Sequence, residues 1–382
     1  MQTYFSQTNL KTNSWAIRMV ESVLQSYPIS AAYWHYEHGL VVKAIRTAGF
    51  LFQEERYIDF AKQWIDHFIQ ADGSISTYRT DEYNLDQINS GKLLFHAYQQ
   101  TGEERYLIAL NTLHQQLQKQ PRTFSKGYWH KKIYPNQMWL DGIYMAGPFQ
   151  VEYGCTFNQP EVCQDSIDQI ILLEQHVREP KTGLLYHAWD ESREQPWSDP
   201  NNGCSPHFWG RAMGWFEMAL IDILDILALE HPDRSKLIQI LQRLSNALLN
   251  YQHRPTGMWY QIVNMGEQQG NYLESSITAM LVYSFTRGVR KGYLPPEFLT
   301  AARRAYRGIL ENRITMDSQG FLTLEGTCGT AGLGGIPYRN GSFEYYVQEK
   351  IIPNDFKGVG PFILAALEMD IANGNHEAER NL

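Results

Sequence analysis

A short phrase that returns along the chain limits its architecture more than any other feature. It consists of a polar residue, a glycine, and then a few aromatic or apolar residues. The copies are "DGSISTY" at Gly73, "KGYWH" at Gly127, "TGLLYHAW" at Gly183, "TGMWYQIV" at Gly257 and "QGFLTLE" at Gly320, about 54 to 74 residues apart. Between them the apolar residues recur at helical spacing, as in "SWAIRMVESVLQSY", "RYIDFAKQWIDHFIQA", "GRAMGWFEMALIDILDILAL" and "SKLIQILQRLSNALLNY". Each interval holds two helices with their connections, and each phrase reads as a tight turn into a short extended segment. Five such intervals and an N-terminal helix pair predict six helical hairpins. Hairpins that each expose one apolar face bury it by stacking side by side and closing on themselves. The expected fold is therefore an all-α, (α/α)6 barrel. Residues 1–382 are read as one domain, with the loops after the inner helices gathered at one mouth.

Composition narrows the function. A net charge of −8, with no Lys/Arg-rich stripe, argues against a nucleic-acid partner. An aromatic share of 13% suits a core and equally a sugar-binding cleft. Cys155, Cys163, Cys204 and Cys328 have neither zinc spacing nor the density of a disulfide framework, so they read as free thiols. The start "MQTYFSQTNLKTNSW" has no leader pattern, and no run of 18 apolar residues follows. The expected location is cytoplasmic, without a membrane partner. The glycines of "GTAGLGGIPYRNGS", residues 329–342, follow no strand and precede no GK[ST], so they read as a long mobile loop near the mouth.

Candidate chemistry gathers in a few phrases. Asp141 stands in "QMWLDGIYMAGPF" among Met138, Trp139, Leu140, Ile143 and Tyr144. A carboxylate there is paired, protonated or catalytic, because desolvation raises a buried carboxyl by up to roughly 3–5 pKa units. The bland alternative is an N-cap for a helix starting at Gly142. Asp86, in "NLDQINSGKLLF", has the same alternative and becomes functional only near Asp141, where two carboxyls in one cleft cannot both ionise easily. His187 beside Tyr186 and Trp189 suits a sugar, or serves as a hydrogen-bonded spacer. Arg211, in the first turn of a helix with Trp209 and Trp215, suits a carboxylate clamp, or an ion pair with a neighbouring helix. His35 and His38 flank Tyr36 without the HExxH spacing of a metal site, and no metal or cofactor is expected.

Taken together, "WHYEHG", "LDQINSGK", "GYWHKKIYPNQMWLDGIYMAGPF", "TGLLYHAWDES", "CSPHFWGRAMGW", "TGMWYQIV", "NYLESS" and "NDFKGVGPFILA" resemble, in order from about residue 33 to 366, the unsaturated rhamnogalacturonyl hydrolases of glycoside hydrolase family 105. The resemblance implies an (α/α)6 barrel acting on a small disaccharide with a 4,5-unsaturated galacturonic acid at its non-reducing end, linked to rhamnose. An aspartic acid protonates the vinyl ether at C4, water adds at C5, and the hemiketal opens to release the other sugar. Carried over by position, Asp141 would be the general acid and base and Asp86 its partner. Tyr36 and His187 would contact the sugar or the water. Lys131, Trp209, Arg211 and Trp215 would complete the pocket, the cations near the uronate. The 329–342 loop would border the leaving sugar. Three readings remain open: this hydration, another glycosidase on the same barrel, or a non-catalytic sugar-binding toroid. The second covers an unsaturated glucuronyl hydrolase or an inverting acid and base pair.

Overall fold

The computed structural model describes residues 14–374; the N-terminal segment read above for a leader lies almost wholly outside them. Six helices form an inner ring: α2 (Tyr36–Phe52), α4 (Lys92–Thr101), α6 (Leu140–Thr156), α8 (Gly210–Ile226), α10 (Ser275–Arg290) and α13 (Phe356–Ala372). Neighbours in the ring pack on one another, and the turn Asn89–Gly91 closes it between α4 and α2. The outer helices are α1 (Trp15–Ser26), α3 (Glu55–Phe68), α5 (Glu104–Gln118), α7 (Pro160–Val177), α9 (Arg234–Leu249) and α11 (Glu297–Asn312). A short helix, α12 (Phe343–Gln348), lies in the last connection.

The two rings follow from their sequences. In α8 every residue from Gly210 to Leu224 is buried, as expected of a helix apolar on all sides. Outer α3 buries only Tyr57, Ala61, Trp64, Ile65 and Phe68, one stripe at helical spacing. The expected six hairpins are present, but the sixth is built differently. The first helix, α1, lies outside the last, α13, so the two ends of the chain share one hairpin.

The repeated phrases sit at the opposite ends of the helices from those expected. They follow the outer helices and lead into the inner ones, so the mouth lies at the N-termini of the inner ring. The turns themselves are as read. Gly73, Gly183, Gly257 and Gly320 have φ of 81°, 73°, 76° and 91°, a region open to glycine at little cost. The extended segments after Gly183, Gly257 and Gly320 each give one strand of a two-stranded ladder. β1 (Gln137–Trp139) pairs with β2 (Ala188–Asp190), β3 (Trp259–Tyr260) with β4 (Leu273–Glu274), and β5 (Ile314–Met316) with β6 (Leu322–Leu324).

Candidate active site

The β1–β2 ladder sets the first pair of candidate side chains. Its antiparallel register places Trp139 opposite Ala188, and the next amide, Leu140 N–H, donates to His187 O at 3.0 Å. Asp141, in the first turn of α6, is thereby brought against His187, Oδ2 to Nε2 3.1 Å, a close electrostatic contact without directional hydrogen-bond geometry. Asp141 is 9% exposed and His187 fully buried. The other ring nitrogen of His187 lies 2.7 Å from Tyr346 OH. Burial lowers the His187 pKa against the pull of Asp141, which favours the neutral imidazole. The carboxyl in the apolar wall therefore has His187 as its near neighbour, and the N-cap position of α6 is taken by Trp139. His187 stands behind Asp141, buried, and not on an open sugar shelf.

Asp86 lies in a 3-10 turn, Leu85–Gln87, whose start is capped by Asn84, so Asp86 is not itself the cap. Its carboxylate meets Lys131 Nζ at 2.6 Å, His130 Nε2 at 3.3 Å and His35 Nε2 at 3.8 Å. Burial alone would raise its pKa, but Lys131, then His130 and His35, hold it well below the usual carboxylate range. Asp86 is a fixed anion. Tyr36, the first residue of α2, is close enough to feel Asp86, Asp141 and Arg211 together. Burial, with Glu37 and both aspartates, pushes its phenol well above 10, so it is a hydrogen-bond donor here.

Three expectations about the cations and tryptophans change. Arg211 does lie in the first turn of α8, and Trp209 holds its guanidinium flat at 4.7 Å. Its donors, however, go to Cys328 O at 2.5 Å and to Gly329 O, and Glu274 stands 3.9 Å away. At 1% exposure it ties the start of the 329–342 loop to the barrel and is not an open carboxylate clamp. Lys131 is neutralised by Asp86. Trp215 stacks on Tyr144 at 4.9 Å and makes an edge-to-face contact with Tyr36 at 5.9 Å.

Several residues at the site carried no signal by themselves. His130, Trp139 and Tyr134 form a stack, His130–Trp139 at 4.5 Å and Tyr134–Trp139 at 4.8 Å. The phrase "YWHKK" could have pointed to His130 through its neighbour Lys131. Tyr346 could not have been found, because only the fold brings it to His187. The 329–342 loop is tied down, not loose: Leu333 is fully buried in a small cluster with Tyr134, Trp139, Ala188 and Trp197, apart from the main core.

Against known proteins, the family model described as Glycosyl Hydrolase Family 88 matches residues 11–372. A solved Clostridium structure, from C. acetobutylicum ATCC 824 and described as a glycoside hydrolase from family 105, superposes with a TM-score of 0.91 at 42% identity, covering 94% of this chain and 100% of the other. Protein Atu3128 of Agrobacterium fabrum is 39% identical over 232 residues, 59% of this chain and 97% of that protein. The unsaturated rhamnogalacturonyl hydrolase YesR of Bacillus subtilis is 26% identical over 253 residues, 64% of this chain and 68% of that protein.

Proposed function

Because the chain belongs to glycosyl hydrolase family 88, with a close structural relative in family 105, and is a glycoside hydrolase, we propose that it releases 4,5-unsaturated galacturonic acid from unsaturated rhamnogalacturonan disaccharides by hydrating the C4=C5 double bond. The observation that carries this reading is the inequality of the two carboxyls. Asp86, pinned by Lys131 and two histidines, is too weak a base to activate water in an inverting displacement. That leaves Asp141 for both proton steps. Backed by neutral His187, it gives its proton to C4, positive charge develops at C5, and water adds there while its surplus proton returns to Asp141. The resulting hemiketal opens and the second sugar leaves. Asp86 and Tyr36 orient the sugar and the water, with Trp209 and Trp215 in the walls behind them. The positive ends of the inner helix dipoles face the mouth, which favours an anionic substrate.

The four free thiols suit a reducing compartment, and we place the reaction in the cytoplasm. No helix among the described residues is long and apolar enough to cross a membrane. An unsaturated glucuronyl hydrolase would use the same groups, so the second sugar is fixed by assay of a disaccharide panel. The reaction type is tested with two galacturonyl-rhamnose disaccharides that differ only in the 4,5 double bond. The unsaturated one should release rhamnose with loss of its ultraviolet absorbance, while the saturated one binds uncleaved. Comparable rhamnose release from both would move the protein to the two-carboxylate reading.

A further inference from the structure

We propose that Arg339, carried on the 329–342 loop, is a specificity residue that reads the carboxylate of the substrate's uronic acid. The inference rests on the proposed reaction and supplies what it lacks, a cation free to meet an anionic sugar.

The other buried and half-buried cations near the mouth are committed, and Lys132 beside them is exposed, with its Nζ 3.4 Å from Asp81 O. Arg211 is spent on two backbone carbonyls and faces Glu274. Lys131 is held by Asp86 at 2.6 Å. Lys357, 2% exposed, lies between Glu37 at 3.0 Å and Asp355 at 2.9 Å. Arg339 differs in kind. Its described partners are neutral oxygens: Tyr134 OH at 2.6 Å, Gly334 O at 3.0 Å and Leu333 O at 3.4 Å. Among the described residues no carboxylate forms an ion pair with it, and it is half-buried, so its charge is neither neutralised nor fully surrendered to water. A planar guanidinium fixed along one edge is preorganised to bind a carboxylate with the other.

Its position is equally specific. Tyr134 stacks with Trp139 and His130, and His130 reaches Asp86. Trp139 immediately precedes the helix that carries Asp141 and makes an edge-to-face contact with His187, ring centroids 5.4 Å apart. The charge of Arg339 is felt at both His187 and Lys131. The glycines of "TAGLGG" now have a purpose. A Cβ at Gly332 would stand 2.4 Å from Arg339 Nη1, and one at Gly335 3.3 Å from Nη2, so the missing side chains make the guanidinium's seat.

The test compares the unsaturated disaccharide as the free acid with its methyl ester, in the parent, Arg339→Gln, Arg339→Lys and Tyr134→Phe. Arg339→Gln should raise KM for the acid by about ten- to a hundredfold with a smaller change in kcat, and leave the ester nearly unaffected. Arg339→Lys should restore part of the preference. Tyr134→Phe keeps the charge while removing the loop's hydrogen bond, and should keep the preference for the acid. An unchanged acid-to-ester ratio in Arg339→Gln, whether both rates fall or neither does, overturns the inference and leaves Arg339 a loop fastener. If the parent turns over neither compound, the proposed reaction fails by itself. Calorimetric binding of the two compounds then decides Arg339: acid-selective binding lost in Arg339→Gln supports it, and equal binding by the parent overturns it.

Discussion

Asp141 shows how much of a site one residue's neighbours in sequence can reveal. Its apolar phrase marks it as a carboxyl that needs a reason to be there, and that much can be read directly. Its partner cannot, because His187 reaches it only through the register of β1 on β2. The proposed role has a direct consequence. Asp141→Asn keeps the size and the contact with His187 but has no transferable proton, so kcat should fall on the order of 10²- to 10⁴-fold with a modest change in KM. Near-normal turnover by a folded Asn variant would refute the assignment. Arg211 illustrates the opposite case. Its unusual placement at a helix start was visible, but its acceptors are main-chain oxygens of Cys328 and Gly329, and a carbonyl looks the same in every residue. The sequence pointed to a cation in need of an anion; the fold gives its hydrogen bonds to carbonyls and its anion is Glu274, at the start of the neighbouring inner helix.

Among the elements, the repeated turn glycines were the most legible feature and also the one read with the wrong polarity. Their number and spacing predict hairpins because a positive φ is needed wherever an outer helix turns back. Which end of the barrel they occupy depends on whether a hairpin begins with its inner or its outer helix, and local pattern does not distinguish these. The phrase also hides two different needs. At "KGYWH" it is Lys126 that takes the positive φ, 75°, while Gly127 makes room, since a Cβ there would stand 2.0 Å from Met138 Sδ. The distinction predicts unequal costs for one substitution. Gly320→Ala meets nothing within 4 Å and should lose only the conformational penalty, roughly 1 kcal/mol. Gly257→Ala places its methyl 2.8 Å from the Arg304 backbone and should cost more, roughly 2–4 kcal/mol. Chemical denaturation of the two variants checks this; equal losses would show that packing at Gly257 yields freely.

For the whole molecule, the closing joint is the hairpin made from both ends of the described chain. Ser14 caps α1 through its accepted bond from Ile17 N–H and donates to Asp370 Oδ2 of α13 at 2.7 Å. Burial raises the Asp370 carboxyl to about 6, with Ser14 partly opposing the shift. The folded ring therefore holds this proton more tightly than the unfolded chain does. Its contribution is full below about 3.8, declines as pH rises through about 6, and is a standing cost at neutral pH. Asp370→Asn keeps an acceptor for Ser14 and removes the charge. It should stabilise the protein by roughly 1–2 kcal/mol at pH 7.5, with the gain vanishing near pH 4. Thermal unfolding of both proteins at the two pH values measures it, and a gain independent of pH would assign the effect to packing instead.

The same joint governs the order in which the protein can come into being. A ribosome delivers α1 before its inner partner α13, with the whole ring between them. Until residues 356–372 leave the exit tunnel, the growing chain is an open arc with an unpartnered apolar edge at each end, the kind of surface that chaperones hold and that aggregates seed from. Asp141 and Asp86 are made early, but the 329–342 loop that packs on Tyr134 and Trp139 arrives only shortly before α13. Activity should therefore appear in one step, once α13 has emerged, and a chain stalled short of α13 should be an aggregation substrate and not a weaker hydrolase.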